Sequence, residues 1–354
     1  MSQNLTCLKP QKKLLYEVSI IRPLVITLLV FLHSFTKIVN GGGETNDYQL
    51  VGVYQWMVWL ISGFRIETIA LIAGYVFAYQ SIDLKRKYVF MPFLWKKFKR
   101  LIIPMLFFGI IYYFCFFFNK ETFSVVPFLK SLLSGCGHLW FLPMLFWCFI
   151  AIWIIDHYKL SSVALLIVLA CVSLVPMPSL PFGFTRLPHF LFFVYAGYYL
   201  WTQRDGLFEK CLNTGSIVLM WVVYALLVVA KHLFVPEIAG DMPILQKIIL
   251  SGMQSSIGLV MSCSGILALY LTVCKVTTKE NYQPKQWIVR ASDDCYGVYV
   301  FHQFILVALY FYTPLVLKVN AYLVPWIGFA VAFSISLLLT QLFLKTKTGR
   351  FLIG

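Results

Sequence analysis

Ten apolar runs, each near the length that crosses a hydrocarbon layer, follow one another along this chain of 354 residues. They cover 20–39, 56–79, 101–118, 138–155, 161–177, 186–202, 215–234, 248–274, 292–312 and 323–344. A helix needs about 20 apolar residues to span a hydrocarbon core of roughly 30 Å. Backbone polar groups inside lipid must be satisfied within the segment, so each run is expected to be a helix. The expected fold is all-α: one polytopic membrane bundle of about ten transmembrane helices over 20–344, with tails at 1–19 and 345–354. Hydrophobic residues make up 60% of the chain and charged residues 12%, too little polar surface for a water-soluble domain of this size. No stretch is left for a separate globular domain.

The net charge of +15 would suit a nucleic-acid partner, but its placement points to membrane orientation instead. Basic residues gather in the N-terminal tail (Lys9, Lys12, Lys13) and the second loop (Lys85, Arg86, Lys87, Lys96, Lys97, Lys99, Arg100). They gather again in the eighth loop (Lys275, Lys279, Lys285, Arg290) and the C-terminal tail (Lys345, Lys347, Arg350). Ten spans place all four clusters on one side, which the positive-inside rule makes cytoplasmic, together with both termini. The first opposite loop (Gly41, Gly42, Gly43, Glu44, Asp47) is acidic and glycine-rich. The nine cysteines form no CxxC and no Cys/His cluster, so neither a metal site nor a disulfide framework is expected. The first run is too long for the core of a cleavable signal. No internal repeat and no pair of broken helices is evident. Run 248–274 carries Gly252, Ser255, Ser256, Gly258, Ser262, Ser264 and Gly265, the composition of a close-packing face.

Within this apolar frame a few ionisable residues need an explanation, because such groups are costly in a membrane and usually face a bundle interior. Arg22 and His33 lie eleven positions apart in the first run. That is about three helical turns, so they share a face and differ in depth by roughly 16 Å. Histidine suits general-base work on a hydroxyl, but it also packs as a hydrogen-bonded core residue. Arg22 alone reads as an interfacial anchor, and the following Pro23 suits a first helical turn. Lys97 and Arg100 are three apart and form a cationic face that suits phosphate, or simply anchors the helix. Arg65 and Glu67 are two apart and do not face each other. Glu67 is a candidate to orient an imidazole, and an interhelical ion pair is the alternative. His138 and Trp140 open the fourth run, and by default they are a loop histidine and an interfacial aromatic. In the ninth run, Asp293 or Asp294 is expected to cap the helix start. Tyr299 and His302 share a face, to pack or to line a path.

Together these features resemble membrane acyltransferase family 3, integral-membrane enzymes that O-acetylate surface glycans. The pair Arg22 and His33 resembles the family's first-helix signature. Leu71-Ile72-Ala73-Gly74-Tyr75 is similar to its F-F-x-x-S-G-[YF] stretch. Lys97-Phe98-Lys99-Arg100 with Pro104 is similar to its R-x-x-R…P. His138 to Leu142 matches its H-L-W-F-L, and Tyr299 to His302 resembles its Y-L-x-H. Lys97 stands where the family usually has arginine, which keeps the charge but loses the bidentate fork. Ala73 stands where it has serine.

The resemblance implies a bacterial cytoplasmic-membrane enzyme that moves an acyl group, acetyl by preference, from cytoplasmic acyl-CoA to a polysaccharide or lipid-linked glycan hydroxyl. In it, Lys97 and Arg100 would hold the phosphates of acetyl-CoA, the acyl donor. His33, Arg22 and Glu67 would form the catalytic group. Arg65, His138, Trp140, Tyr299 and His302 would line the substrate path. No metal is implied. The alternative is a transporter or flippase of a lipid-linked glycan, without covalent chemistry.

Overall fold

A computed structural model describes residues 15–39, 52–121, 123–204, 206, 210–236, 238, 242–279 and 282–354. The basic tail with Lys9, Lys12 and Lys13, the loop with Gly41, Gly42, Gly43, Glu44 and Asp47, and Cys7 lie outside them. Among the described residues every regular element is a helix. In chain order these are α1 (Tyr16–Val39), α2 (Gly52–Ser62), α3 (Arg65–Ala78), α4 (Phe90–Lys97) and α5 (Ile103–Phe116). They continue with α6 (Val125–Leu133), α7 (Phe141–His157), α8 (Val163–Ser173), α9 (Leu187–Gln203) and α10 (Thr214–Phe234). The last five are α11 (Ile244–Thr277), α12 (Gln286–Tyr312), α13 (Leu315–Lys318), α14 (Val324–Lys345) and α15 (Lys347–Ile353).

Among the described residues, eight stretches are long and apolar enough to cross a membrane. They match eight of the ten expected runs. The other two appear as α8, 11 residues, and α9, 17 residues. At 1.5 Å per residue a straight α8 reaches about 16 Å, short of a full crossing, whereas α9 approaches one. The proline-rich stretch after α8 ends it early, since proline cannot continue the helical hydrogen-bond ladder. The chain is a multi-pass, all-helical membrane protein.

Three local features depart from the simple picture. First, α1 runs unbroken through Pro23, which sits inside the helix and not in its first turn. Arg22 and His33 therefore keep the shared face expected of them. Second, the run 56–79 is not one helix. It breaks at Gly63 and Phe64, separating α2 from α3. A break at membrane depth frees carbonyls that need new donors. The Tyr224 hydroxyl donates to Leu60 O (2.5 Å), the Arg65 guanidinium to Ser62 O (3.3 Å) and the Ser262 hydroxyl to Gly63 O (2.6 Å). Third, a π-helical turn at Phe98–Ile102 joins α4 to α5. Pro104 has no N–H to return to the Arg100 carbonyl, and the Tyr296 hydroxyl donates to it instead at 2.9 Å. π-Turns of this kind are frequent at functional sites.

The most extensive helix pair is α3 with α9. There the two backbones touch: a Cβ on Gly74 would strike the Val194 carbonyl, and one on Gly197 the Leu71 carbonyl. Gly74, in the stretch after Leu71, is thus a close-approach residue. The small residues of α11 divide into two groups, which corrects the expectation of one packing face. Ser262 and Ser264 are buried, and Gly265 is crowded by Tyr224 and Phe64. Gly252 meets nothing, and Ser255 and Gly258 line a cavity. The segment after 345 folds as α15, with Leu352 and Ile353 buried, and packs on α5 and the π-turn.

Candidate functional site

The helices α1 and α12 lie side by side and run parallel, which carries the spacing of Arg22 and His33 onto matching positions of α12. At one level Arg22 lies within electrostatic reach of Asp293, Cys295 and Arg100. At the other, His33 Nδ1 lies 2.8 Å from His302 Nε2, with the rings stacked 5.1 Å apart.

The acceptors around this pair fix its proton pattern. His302 Nδ1 lies 2.7 Å from Tyr299 O and 3.2 Å from Val298 O. Carbonyl oxygens only accept, so His302 Nδ1 carries the proton and, in the neutral ring, its Nε2 is a lone pair. That lone pair accepts from His33 Nδ1–H. The lone pair of a neutral His33 is then on Nε2. A half-buried imidazole held in one tautomer by a fully buried neighbour is poised as a proton acceptor. The tautomers are assigned from the hydrogen-bond partners, as they must be for histidine.

His138 joins the same cluster, which corrects its reading as a loop histidine. It is buried in the turn Gly137–Trp140, and its ring lies 5.1 Å from that of His302. Its Nε2 donates to Val300 O at 2.9 Å, while the Tyr299 hydroxyl donates to His138 O at 2.6 Å. These two bonds stitch the start of α7 to α12. Tyr299 is therefore a packing and positioning group. Trp140 lies under the Arg186 guanidinium, 3.7 Å from ring centre to charge, and against Phe190, so it packs within the protein.

Arg65 and Glu67 point to opposite sides of α3. Arg65 is 8% exposed and lies within electrostatic reach of His302. Glu67 does not meet His33: its Oε1 lies 3.6 Å from Nε2 of His189, at the start of α9. The imidazole beside Glu67 is thus a different one from the catalytic candidate. His189 carries the same sequence signal as His33, an ionisable residue inside an apolar run, and sequence reasoning passed over it. Arg65 Nε, Glu67 Oε2, His138 Nδ1 and Gln303 Oε1 are buried without a hydrogen-bond partner among the described residues. Such atoms are rare in packed interiors, and a polar ligand is one way to satisfy them.

At the other end, Lys97 lies within electrostatic reach of Arg100, Lys96 and Arg22. Its ammonium rests 3.2 Å from the centre of the Phe149 ring, a cation–π contact, whereas Arg100 is exposed. The aspartate pair does not cap α12, which begins at Gln286, well before Asp293. Asp293 instead lies within electrostatic reach of Arg22, and Asp294 is buried. Among the described residues no group of three or more His, Cys, Asp or Glu could hold a metal ion.

The molecule thus has two polar centres along α1 and α12: a cationic one at Arg22, Lys97 and Arg100, and an imidazole one at His33, His302 and His138. No curated protein and no solved structure matches the chain. The family model described as an acyltransferase domain matches residues 15–345, which takes in both centres and nearly the whole chain. The chain belongs to acyltransferase family 3, a family of membrane acyltransferases.

Proposed function

We propose that this protein transfers an acetyl group from cytoplasmic acetyl-CoA to a hydroxyl of a cell-surface or lipid-linked polysaccharide, in a bacterial cytoplasmic membrane. The observation that carries the reading is the His33–His302 pair, whose hydrogen bonds leave a neutral His33 with its lone pair on Nε2.

In this reading the cationic end faces the cytoplasm, in line with the positive-inside rule. Arg100 and Lys97 take the phosphates of acetyl-CoA, with Arg100 the more accessible of the two. Arg22 guides the donor along α1. His33 Nε2 takes the proton of the acceptor hydroxyl as its oxygen attacks the thioester carbonyl. The carbonyl becomes a tetrahedral oxyanion, which the buried Arg65 guanidinium stabilises. The C–S bond then breaks, an ester remains on the sugar, and the CoA sulfur receives the proton from His33. His302 is a positioning residue: it sets the His33 tautomer and touches no substrate.

Two expected results test these roles. His302→Leu removes the acceptor for His33 Nδ1–H, and kcat should fall by about tenfold to a hundredfold, with KM for acetyl-CoA unchanged. His302→Gln, whose amide oxygen can accept the same bond, should recover part of that loss, an effect that lost packing would not produce. Arg100→Ala should raise KM for acetyl-CoA by about tenfold or more, with a folded protein and a near-normal kcat. An unchanged KM in a purified-enzyme assay removes Arg100 from the donor site.

A further inference from the structure

Apart from the histidine cluster, the bundle holds a polar cavity of about 340 Å³ between the α2–α3 break, α9, α10 and α11. We propose that it is the seat of one neutral sugar unit of the acceptor, gripped through its hydroxyls. The inference rests on the acyl-transfer reading for its role as the acceptor's place, but not for the binding itself.

The size falls in the range of small-molecule sites, about 300–1,000 Å³. The lining is unusual for a site at membrane depth. Leu259 and Met261 are its two large apolar side chains, and the rest is Glu67, His189, Lys231, Gln254, serine hydroxyls and glycine. An acyl chain or a lipid tail would find little apolar wall there. A sugar hydroxyl both donates and accepts, so it needs donors and acceptors close together. The cavity supplies both. Glu67 Oε2 is a buried acceptor with no hydrogen-bond partner among the described residues. Lys231 brings a donor only. The Gln254 amide nitrogen is engaged by Pro236 O at 2.8 Å, which turns its oxygen into an available acceptor.

Charge excludes the other substrate. Glu67 and Lys231 lie within electrostatic reach of each other, so the cavity is close to balanced and does not select the multiply charged phosphates of acetyl-CoA. The cationic centre at Arg22, Lys97 and Arg100 does that. The cavity also adjoins the chemistry. Glu67 faces it, while Arg65, two residues earlier on the same helix start, faces His302. The beginning of α3 is thus a shared wall between the sugar seat and the imidazole pair.

Gly258 provides a clean plug. A Cβ there meets only the end of the Lys231 side chain, at 3.5 Å, and Gly258 lines the cavity, so leucine is the substitution chosen to fill it. The test uses full-length purified protein and a panel of methyl glycosides: neutral hexoses, N-acetylhexosamines and hexuronic acids. At least one neutral glycoside should raise the thermal midpoint of the wild type in the absence of donor. That shift should vanish in Gly258→Leu and in Lys231→Met, while stabilisation by acetyl-CoA persists in both. With the same glycoside as acceptor, both variants should raise its KM by about tenfold or more and leave KM for acetyl-CoA unchanged. The proposal is overturned if no neutral glycoside stabilises the wild type, or if the shift survives in Gly258→Leu and Lys231→Met. Loss of the shift in the variants, from a wild type that transfers no acetyl group, keeps the sugar seat and sinks the acyl-transfer reading instead.

Discussion

His33→Ala should lower acyl transfer by about 10²–10⁴-fold, the usual contribution of a general base, while the protein still inserts and purifies as a monodisperse species. The expectation follows from the hydrogen-bond chain and not from the presence of a histidine alone. Two backbone carbonyls commit His302 Nδ1 as a donor, its Nε2 therefore accepts, and His33 Nδ1 must donate. Alanine at 33 removes the one nitrogen assigned to receive the acceptor's proton. It also leaves His302 Nε2 without its donor, at a cost of about 1–3 kcal/mol in stability. His33→Asn separates the two effects, because an amide can still hydrogen-bond but cannot act as a base. Both variants should fail in transfer and still bind acetyl-CoA, measured by its effect on thermal unfolding.

The second large effect lies in the scaffold. Gly74→Val should destabilise the bundle by about 3 kcal/mol or more, because the new side chain would have to displace the Val194 backbone and not a movable side chain. Gly197→Val should do the same from the α9 side, against the Leu71 carbonyl. Gly252→Val is the control: nothing lies within 4 Å of a Cβ there, and the change should stay within about 0.5 kcal/mol. Thermal unfolding in one detergent compares the three. Equal stability of Gly74→Val and Gly252→Val would mean that α3 and α9 do not touch through these glycines. Because α3 also carries Arg65 and Glu67, a shift of α3 on α9 should reach the site, and residual folded Gly74→Val should be poorly active.

The sequence shows the helical, membrane-spanning character of the chain directly, because hydrocarbon admits few other solutions for a run such as 215–234. The shared face of Arg22 and His33 is equally direct, a consequence of helical period within one segment. What lies between segments is not written in any one of them. Nothing near His33 names His302 as its partner, since the pair forms across 269 positions by the packing of α1 on α12. The same holds for Glu67, which lies beside His189 and not His33. The break at Gly63 is hidden because the apolar run continues through it; its stability comes from Tyr224 and Ser262 on other helices. The helix start before Asp293 is obscured by Gln286 and Arg290, whose polar side chains do not look like part of a span.

Acyl transfer through His33 is the centre of the account, and mass spectrometry of surface glycans tests it most directly. Glycans are compared from cells that lack the gene, cells that express the wild type and cells that express His33→Ala at equal membrane abundance. The account predicts one additional acetyl group per modified sugar in wild-type cells, and its absence in both of the others. Glycans from His33→Ala cells that carry the acetyl group at the wild-type level would contradict it.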